Sequence, residues 1–427
     1  MNNIIEYIIE FLLNGKNDKF IAYSKEEEKD FKITIIRSNF FEDDFYGTKE
    51  SVPRSPFKTL FDLPILYGES KIDYKDDGRI ILYADYIASS YFLMSRYQEF
   101  VNKSSRDIYG RFLAKHSEIF KAGYGFIPLV DEWGKVLRKL LNLHIQNGVK
   151  KVYLTHDIDI PFQYPYFRNA CRVCLSSLIK HRELTFQPLV SYFNVNKDKY
   201  YNFERIFEYD NKLKKNLNIN TKIVNSIYFI ITAGKKQNKS YCDITIWKYK
   251  KLINKIIDNE DKLGLHVSYE ADNQLTALKD EIKKLPPQVD KKNLLSRNHF
   301  LRWTEPEFVD NMEMTGIKED YSLGYADSVG FRCGTCRPYY FINPKTKRLT
   351  NLLIHPLLVM ECSLTDPDYM NLDFNEALNV IKKIIDKTIE FNGEFNVLFH
   401  NNYFGKGEER DILYSKMIDY LCEINNN

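Results

Sequence analysis

KVYLTHDID, residues 151–159, is the stretch on which the reading of this chain turns. Its apolar and β-branched content marks a strand. It ends in a cluster of polar residues, Thr155-His156-Asp157-Ile158-Asp159. Two carboxylates two residues apart at a strand end can divide roles. One can bind a metal while the other takes a proton from a metal-bound water.

The same kind of run recurs downstream. Ser226–Thr232, Leu263–Ser268, His299–Trp303, Tyr321–Ala326, His355–Met360 and Phe395–His400 all read as strands. Helical patterns at Trp247–Asn259, Gln274–Leu285 and Asn375–Phe391 separate them. Strand then helix, repeated, predicts a parallel sheet or barrel with right-handed crossovers. Seven such units predict an incomplete α/β barrel. In a barrel the strand C-termini converge on one mouth, and the polar residues of these runs cluster there. They include His266 and Glu270, His299 and Arg302, Asp320, Glu361 and His400. Histidines of this kind suit zinc or a similar divalent metal. An arginine beside a carboxylate base would orient it and hold it ionised. A further histidine could protonate a leaving amine. Together these groups describe amide hydrolysis by metal-activated water.

Upstream, strand-like Lys32–Arg37 and Arg79–Tyr83 mix with helical Ile87–Phe100 and Trp133–Gln146, and Gly47–Tyr74 reads as a long connection. The turn signal Asn147-Gly148 sets an expected boundary. Residues 1–148 are then a smaller α/β or α+β domain of unknown role, and 149–427 the barrel. The net charge of +3 offers no basic field for nucleic acid. No apolar run is long enough for a membrane span. Met1–Asn14 carries Glu6 and Glu10 and reads as an amphipathic helix, not a signal peptide. The expected location is therefore cytoplasmic, where the seven cysteines would be free thiols. Cys171/Cys174 and Cys333/Cys336 have zinc spacing. However, they lie far apart in sequence, and the first pair falls within a helical pattern, so they are read as structural.

The order of these segments resembles the polysaccharide deacetylase family (carbohydrate esterase family 4). The variant with Thr-His-Asp-x-Asp (residues 155–159), Arg-x-His-Phe-Leu-Arg (297–302) and Gly-Phe-Arg-x-Gly-Thr (330–335) resembles a bacterial subgroup with an uncharacterised N-terminal domain. The resemblance implies an α/β fold, an irregular (β/α)7 barrel, and a hydrolase that removes the acetyl group from an N-acetylated sugar, with Asp157 as general base, Arg302 as its partner and His400 as general acid. It implies Asp159 and His266 as metal ligands. Glu270 stands where the family places a second histidine, so Glu270 or His299 would complete the ligand set, most simply around zinc. Asp320 and Arg332 would contact the carbohydrate. The alternative is a catalytically silent relative that binds a glycan or a partner protein. A third reading, a glycosidase built on Asp157 and Glu361, has no use for His266 and His400.

Overall fold

The computed structural model describes residues 1–144, 148–182, 185–217, 223–233, 244–304 and 307–424. Two main sheets organise them in a mixed α/β protein. The N-terminal sheet contains β1 (Ile21–Ser24), β2 (Ile33–Ile36), β3 (Gly68–Tyr74) and β4 (Ile80–Ala84), in the order β1-β2-β4-β3. β1, β2 and β4 are parallel, and β3 lies antiparallel at the edge. Sequence reading took β3 as part of a connection. An exposed edge strand needs no apolar period, and GESKIDY shows none. The helix Asn2–Leu13 buries Ile4, Ile8, Ile9 and Leu12 and packs on the helix Leu129–Leu140. Gly134 permits that approach, because a Cβ there would stand 2.6 Å from the Leu12 carbonyl oxygen. The expected helix Ile87–Phe100 is two helices, Tyr86–Met94 and Tyr97–Val101, broken where Arg96 adopts φ 54°. The expected helix Trp133–Gln146 ends by Leu140. Gln146 of that helix and Asn147 of the expected turn Asn147-Gly148 lie outside the described residues.

The second sheet has nine strands. They are β5 (Lys151–Ile158), β6 (Val224–Ile230), β7 (Lys262–Val267), β8 (Leu294–Asn298), β9 (Ile317–Asp320), β10 (Tyr339–Asn343), β11 (Arg348–Ile354), β12 (Val359–Met360) and β13 (Glu394–Leu398). Their order is β10-β11-β9-β8-β7-β6-β5-β13-β12. Among the described residues every ladder is parallel except the β10/β11 hairpin. The sheet curls. Tyr153 of β5 meets Tyr321, just past β9, at 5.3 Å between rings, although three strands separate them in the order. The segment joining β11 to β12 is bonded on both sides. His355 N donates to Asp320 O (2.9 Å) and Leu357 N to Leu323 O (3.2 Å), while Leu358 N donates to Asn396 O of β13 (3.0 Å).

Three expected strands are displaced. His299–Leu301 is a 3-10 turn after β8, Tyr321–Ala326 follows β9, and of His355–Met360 only Val359–Met360 is a strand. The reason is burial beyond the strand ends. Leu301, Ala326, Leu357 and Met360 share an apolar cluster with Leu113 from the N-terminal part. Loops covered in this way are as apolar as strands, so the apolar runs extend past the ladders.

Strand alternation sets the two faces of the curled sheet. Val152, Leu154 and Ile158 of β5 join the main core, which also includes residues of the N-terminal sheet. Tyr153 belongs instead to a concave-face cluster with Ile227, Phe229, Leu295 and Tyr321. Thr155 and Asp157 follow Tyr153 by steps of two and so face the same way. On β7, Leu263, Leu265 and Val267 join the main core. Gly264 and His266 therefore face the concavity. A Cβ on Gly264 would stand 2.6 Å from the Phe229 ring, so glycine leaves room for that ring.

Candidate metal centre and active site

Register explains how residues remote in sequence converge. Asp157 pairs across the ladder with Phe229, Phe229 with Gly264, and His266 with Arg297. Cross-strand partners share a face, so Asp157, His266 and Arg297 crowd one end of the concavity. All three are buried. Asp159, just beyond β5, lies less deeply.

The Nε2 of His266 stands 3.3 Å from Asp159 Oδ1 and 3.6 Å from Asp157 Oδ2. His266 Nδ1 is 2.9 Å from the Arg297 carbonyl oxygen. A carbonyl only accepts, so Nδ1 carries the proton and Nε2 presents a lone pair toward the carboxylates. This is how metal-binding histidines are oriented. His299 brings its Nε2 to 3.6 Å from Asp159 Oδ1, and its ring lies 5.2 Å from that of His266. The turn behind it places Phe300 at φ 62° and Leu301 at φ 53°, a conformation costly for side chains other than glycine. Phe300 packs on His299 at 4.2 Å and stacks on Tyr109 of the N-terminal part at 4.9 Å. The N-terminal part thus buttresses the loop carrying this histidine. Among the described residues, Asp159, His266 and His299 form a group whose ligand atoms all lie within 4.8 Å of one another. Burial opposes the Asp159 charge, but positive charge on the neighbouring His299 and His266 rings outweighs it and holds the carboxyl well below the usual range.

Two polar pairs flank this group. On one side Arg297 Nη1 donates to Asp157 Oδ1 (3.2 Å) and Thr155 Oγ1 (2.7 Å). On the other side His400, two residues past Leu398, points its Nε2 to 3.8 Å from Asp159 Oδ2. His400 Nδ1 lies 2.5 Å from Glu361 Oε1, which also accepts from His400 N at 2.9 Å. Burial disfavours the charged ring of His400, yet the fully buried Glu361 prevails and raises its pKa well above the usual value. Glu361, Cys362 and His400 form a second group with metal-capable atoms among the described residues.

Several expectations need correction. The arginine expected beside Asp157 was Arg302, but the arginine there is Arg297. The turn at Phe300 redirects the chain, and Arg302 instead pairs with Asp272 (3.0 Å) and lies over the Tyr269 ring at 4.4 Å. Glu270 caps the start of the short turn Ala271–Asn273 and is not in the metal-capable group. His299 is. Asp320 pairs in register with Ser296, the neighbour of Arg297 on the opposite face. Its carboxylate accepts from Ser296 Oγ (2.8 Å) and from Ser322 N and Oγ (2.8 and 2.9 Å), and burial pushes its pKa up to about 6. Arg332 is bound to Glu99 (Nη2, 2.8 Å) and to Gly324 O (2.6 Å), away from the group. The Glu361 carboxylate is engaged by His400 through Oε1. Sequence reading placed Glu361 at the mouth but did not pair it with His400, and it passed over Arg297. Arg297 opens the quoted Arg-x-His-Phe-Leu-Arg motif, so its signal was present but assigned to the other arginine. Cys333 and Cys336 are buried, and Asp131 of the helix Leu129–Leu140 accepts from Cys336 N at 2.9 Å.

Comparison with known proteins adds two findings. A model described as a family of unknown function (DUF7033) matches residues 2–146. A crystal structure of a provisionally assigned polysaccharide deacetylase from Mycobacterium smegmatis is similar to this chain at a TM-score of 0.39 and 10% sequence identity, covering 66% of this chain and 88% of that one. No curated protein matches the sequence. Among the described residues no helix is long and apolar enough to cross a membrane.

Proposed function

We propose that the chain is a metal-dependent hydrolase that removes the acetyl group from an N-acetylated sugar. The observation that carries this reading is the convergence of Asp159, His266 and His299, flanked by Asp157–Arg297 and His400–Glu361. Two imidazoles and a carboxylate suit zinc or a similar divalent ion, and three protein ligands leave a position for water or substrate. Asp159, His266 and His299 would hold that ion. Bound there, it would acidify a water and polarise an acyl carbonyl. The remaining steps belong to the chain's own groups. Asp157, oriented by Arg297, takes the proton of the attacking water. His400, held charged by Glu361, gives a proton to the departing amine. Leu398, Leu357 and Leu301, in one apolar cluster beside His400, offer a wall against which an acetyl methyl can lie. We also read the large sheet as a seven-unit (β/α) barrel, in which the segment from β11 to β12 closes the ring between β9 and β13. Residues 149–427 would form this barrel and 1–148 a domain that supports its mouth.

The test is metal content by mass spectrometry after loading with zinc, cobalt or nickel. Near-stoichiometric metal is expected in the wild type and in Glu270→Gln. Loss is expected in His266→Ala, Asp159→Ala and His299→Ala. A wild type that retains none of these metals overturns the reading.

A further inference from the structure

The helix Phe167–His181 breaks the usual rule of amphipathic packing. Its small residues Ala170 and Cys174 face the protein, while Leu175, Leu178 and Ile179 face outward. Ile179 is 79% exposed, Leu175 60%, and Phe193 on the adjoining helix Gln187–Phe193 68%. The surface is contiguous. The Phe167 ring meets Tyr192 at 5.5 Å and Phe193 at 5.9 Å. Single exposed apolar residues are ordinary, but two paired helices presenting their large side chains to solvent mark an interaction surface.

Charge selects the partner. Arg168, Arg172, Lys180 and Arg182 are exposed on this segment, and no acidic residue occurs between Phe167 and Arg182. We infer that the paired helices Phe167–His181 and Gln187–Phe193 dock on an anionic phospholipid bilayer. An exposed apolar face ringed by arginine and lysine is the pattern of helices that lie in the membrane interface. A second copy fits less well, because a two-fold contact through this face would set the same cations against one another.

The surface is firmly seated. Lys248, buried beneath it, donates to Tyr164 O (3.0 Å) and Ser191 O (3.4 Å) and lies 4.5 Å from the Tyr192 ring. Asn401, next to His400, donates to Ile160 O (3.3 Å) and Tyr200 O (2.8 Å), which lie before and after the two helices. The docking face and the cluster around Asp159 are therefore tied to one rim. Resting on the proposed hydrolase reading, this narrows the substrate class to an N-acylated sugar carried on a lipid and presented at the bilayer surface.

The test is flotation of the full chain with vesicles of phosphatidylcholine alone and with vesicles that also contain phosphatidylglycerol. The wild type is expected to float with the anionic vesicles and to bind the neutral ones at least about tenfold more weakly. Ile179→Ser with Phe193→Ser, and separately Arg168→Glu with Arg172→Glu, should each lower anionic binding by about tenfold or more. Circular dichroism should be unchanged, since all four side chains are exposed. The inference is overturned if the wild type floats with neither vesicle or if both double variants float like the wild type. It is also overturned by a wild-type dimer that does not float and that dissociates on the Ile179/Phe193 change. His266→Ala should float like the wild type. Flotation without metal binding would fell the hydrolase reading alone, and metal binding without flotation would fell the docking face alone.

Discussion

At the scale of single residues, Arg297 and Arg302 stand in contrasting surroundings. Both are arginines of one motif, five residues apart, and the turn at Phe300 gives them opposite fates. Arg297 is fully buried, stands 3.2 Å from Asp157 and lies over the Phe229 ring at 4.7 Å. Its removal would leave Asp157 as a buried charge without its cation, at a cost of about 3–5 kcal/mol. Arg297→Ala is therefore expected to be much less stable to urea. Arg297→Lys keeps the charge but loses the fork that reaches Thr155 and Asp157 together. In that milder variant, deacetylation of an acetylated sugar should fall by about 100-fold or more. Arg302→Lys should stay within a few-fold of wild type. A larger loss in Arg302→Lys than in Arg297→Lys would assign the proposed partner of Asp157 to Arg302, and equal losses would overturn the distinction.

At the scale of elements, the strands are joined by a buried ion network away from the metal-capable group. His355, just past β11, lies between Glu319 of β9 (3.2 Å) and Glu394 of β13 (2.7 Å) and stacks on Tyr321 at 4.4 Å. Burial alone would lower its pKa, but the two carboxylates prevail and raise it from 6.5 to about 9. A folded-state pKa above the unfolded one stabilises most where the group is charged in both states. The contribution is therefore full below pH 6.5 and lost as pH rises through about 9. It amounts to something on the order of 3 kcal/mol. Denaturant midpoints of the wild type should thus fall across that window. His355→Gln should be less stable at pH 6 and show little of this fall. Parallel slopes in the two proteins would mean that another group titrates there.

At the scale of the whole molecule, the N-terminal part and the large sheet share one continuous core, and a buried charge cluster secures their contact. Glu99 binds both Arg96 (Nε, 3.0 Å) and Arg332 (Nη2, 2.8 Å). Tyr109 and Leu113 reach the loops that carry His299 and frame His400. Glu99→Gln would remove the carboxylate that two buried guanidiniums share, at a cost of about 3–5 kcal/mol. Chemical denaturation should show that loss as one cooperative transition followed by both tryptophan fluorescence and circular dichroism. Two separate transitions, with the second unshifted, would mean that the parts fold independently.

The sequence by itself determined the parts that depend on local order. Strand alternation in KVYLTHDID fixes Asp157 and Asp159 to one face, and the strand–helix rhythm fixes a parallel sheet whose crossover helices at 247–258, 275–284 and 374–390 fall where the apolar period predicts. His266 and His400 were legible because they end such strands. Only the tertiary structure decided which partners they meet. Asp157 and Arg297 touch across 140 positions, and His400 meets Glu361 through sheet register that no local pattern encodes. The choice of His299 over Glu270 rests on a turn of positive φ braced by Tyr109 from the N-terminal part. The shift of three expected strands has the same origin. Apolar content reports burial, and here long-range packing buries loops and strands alike.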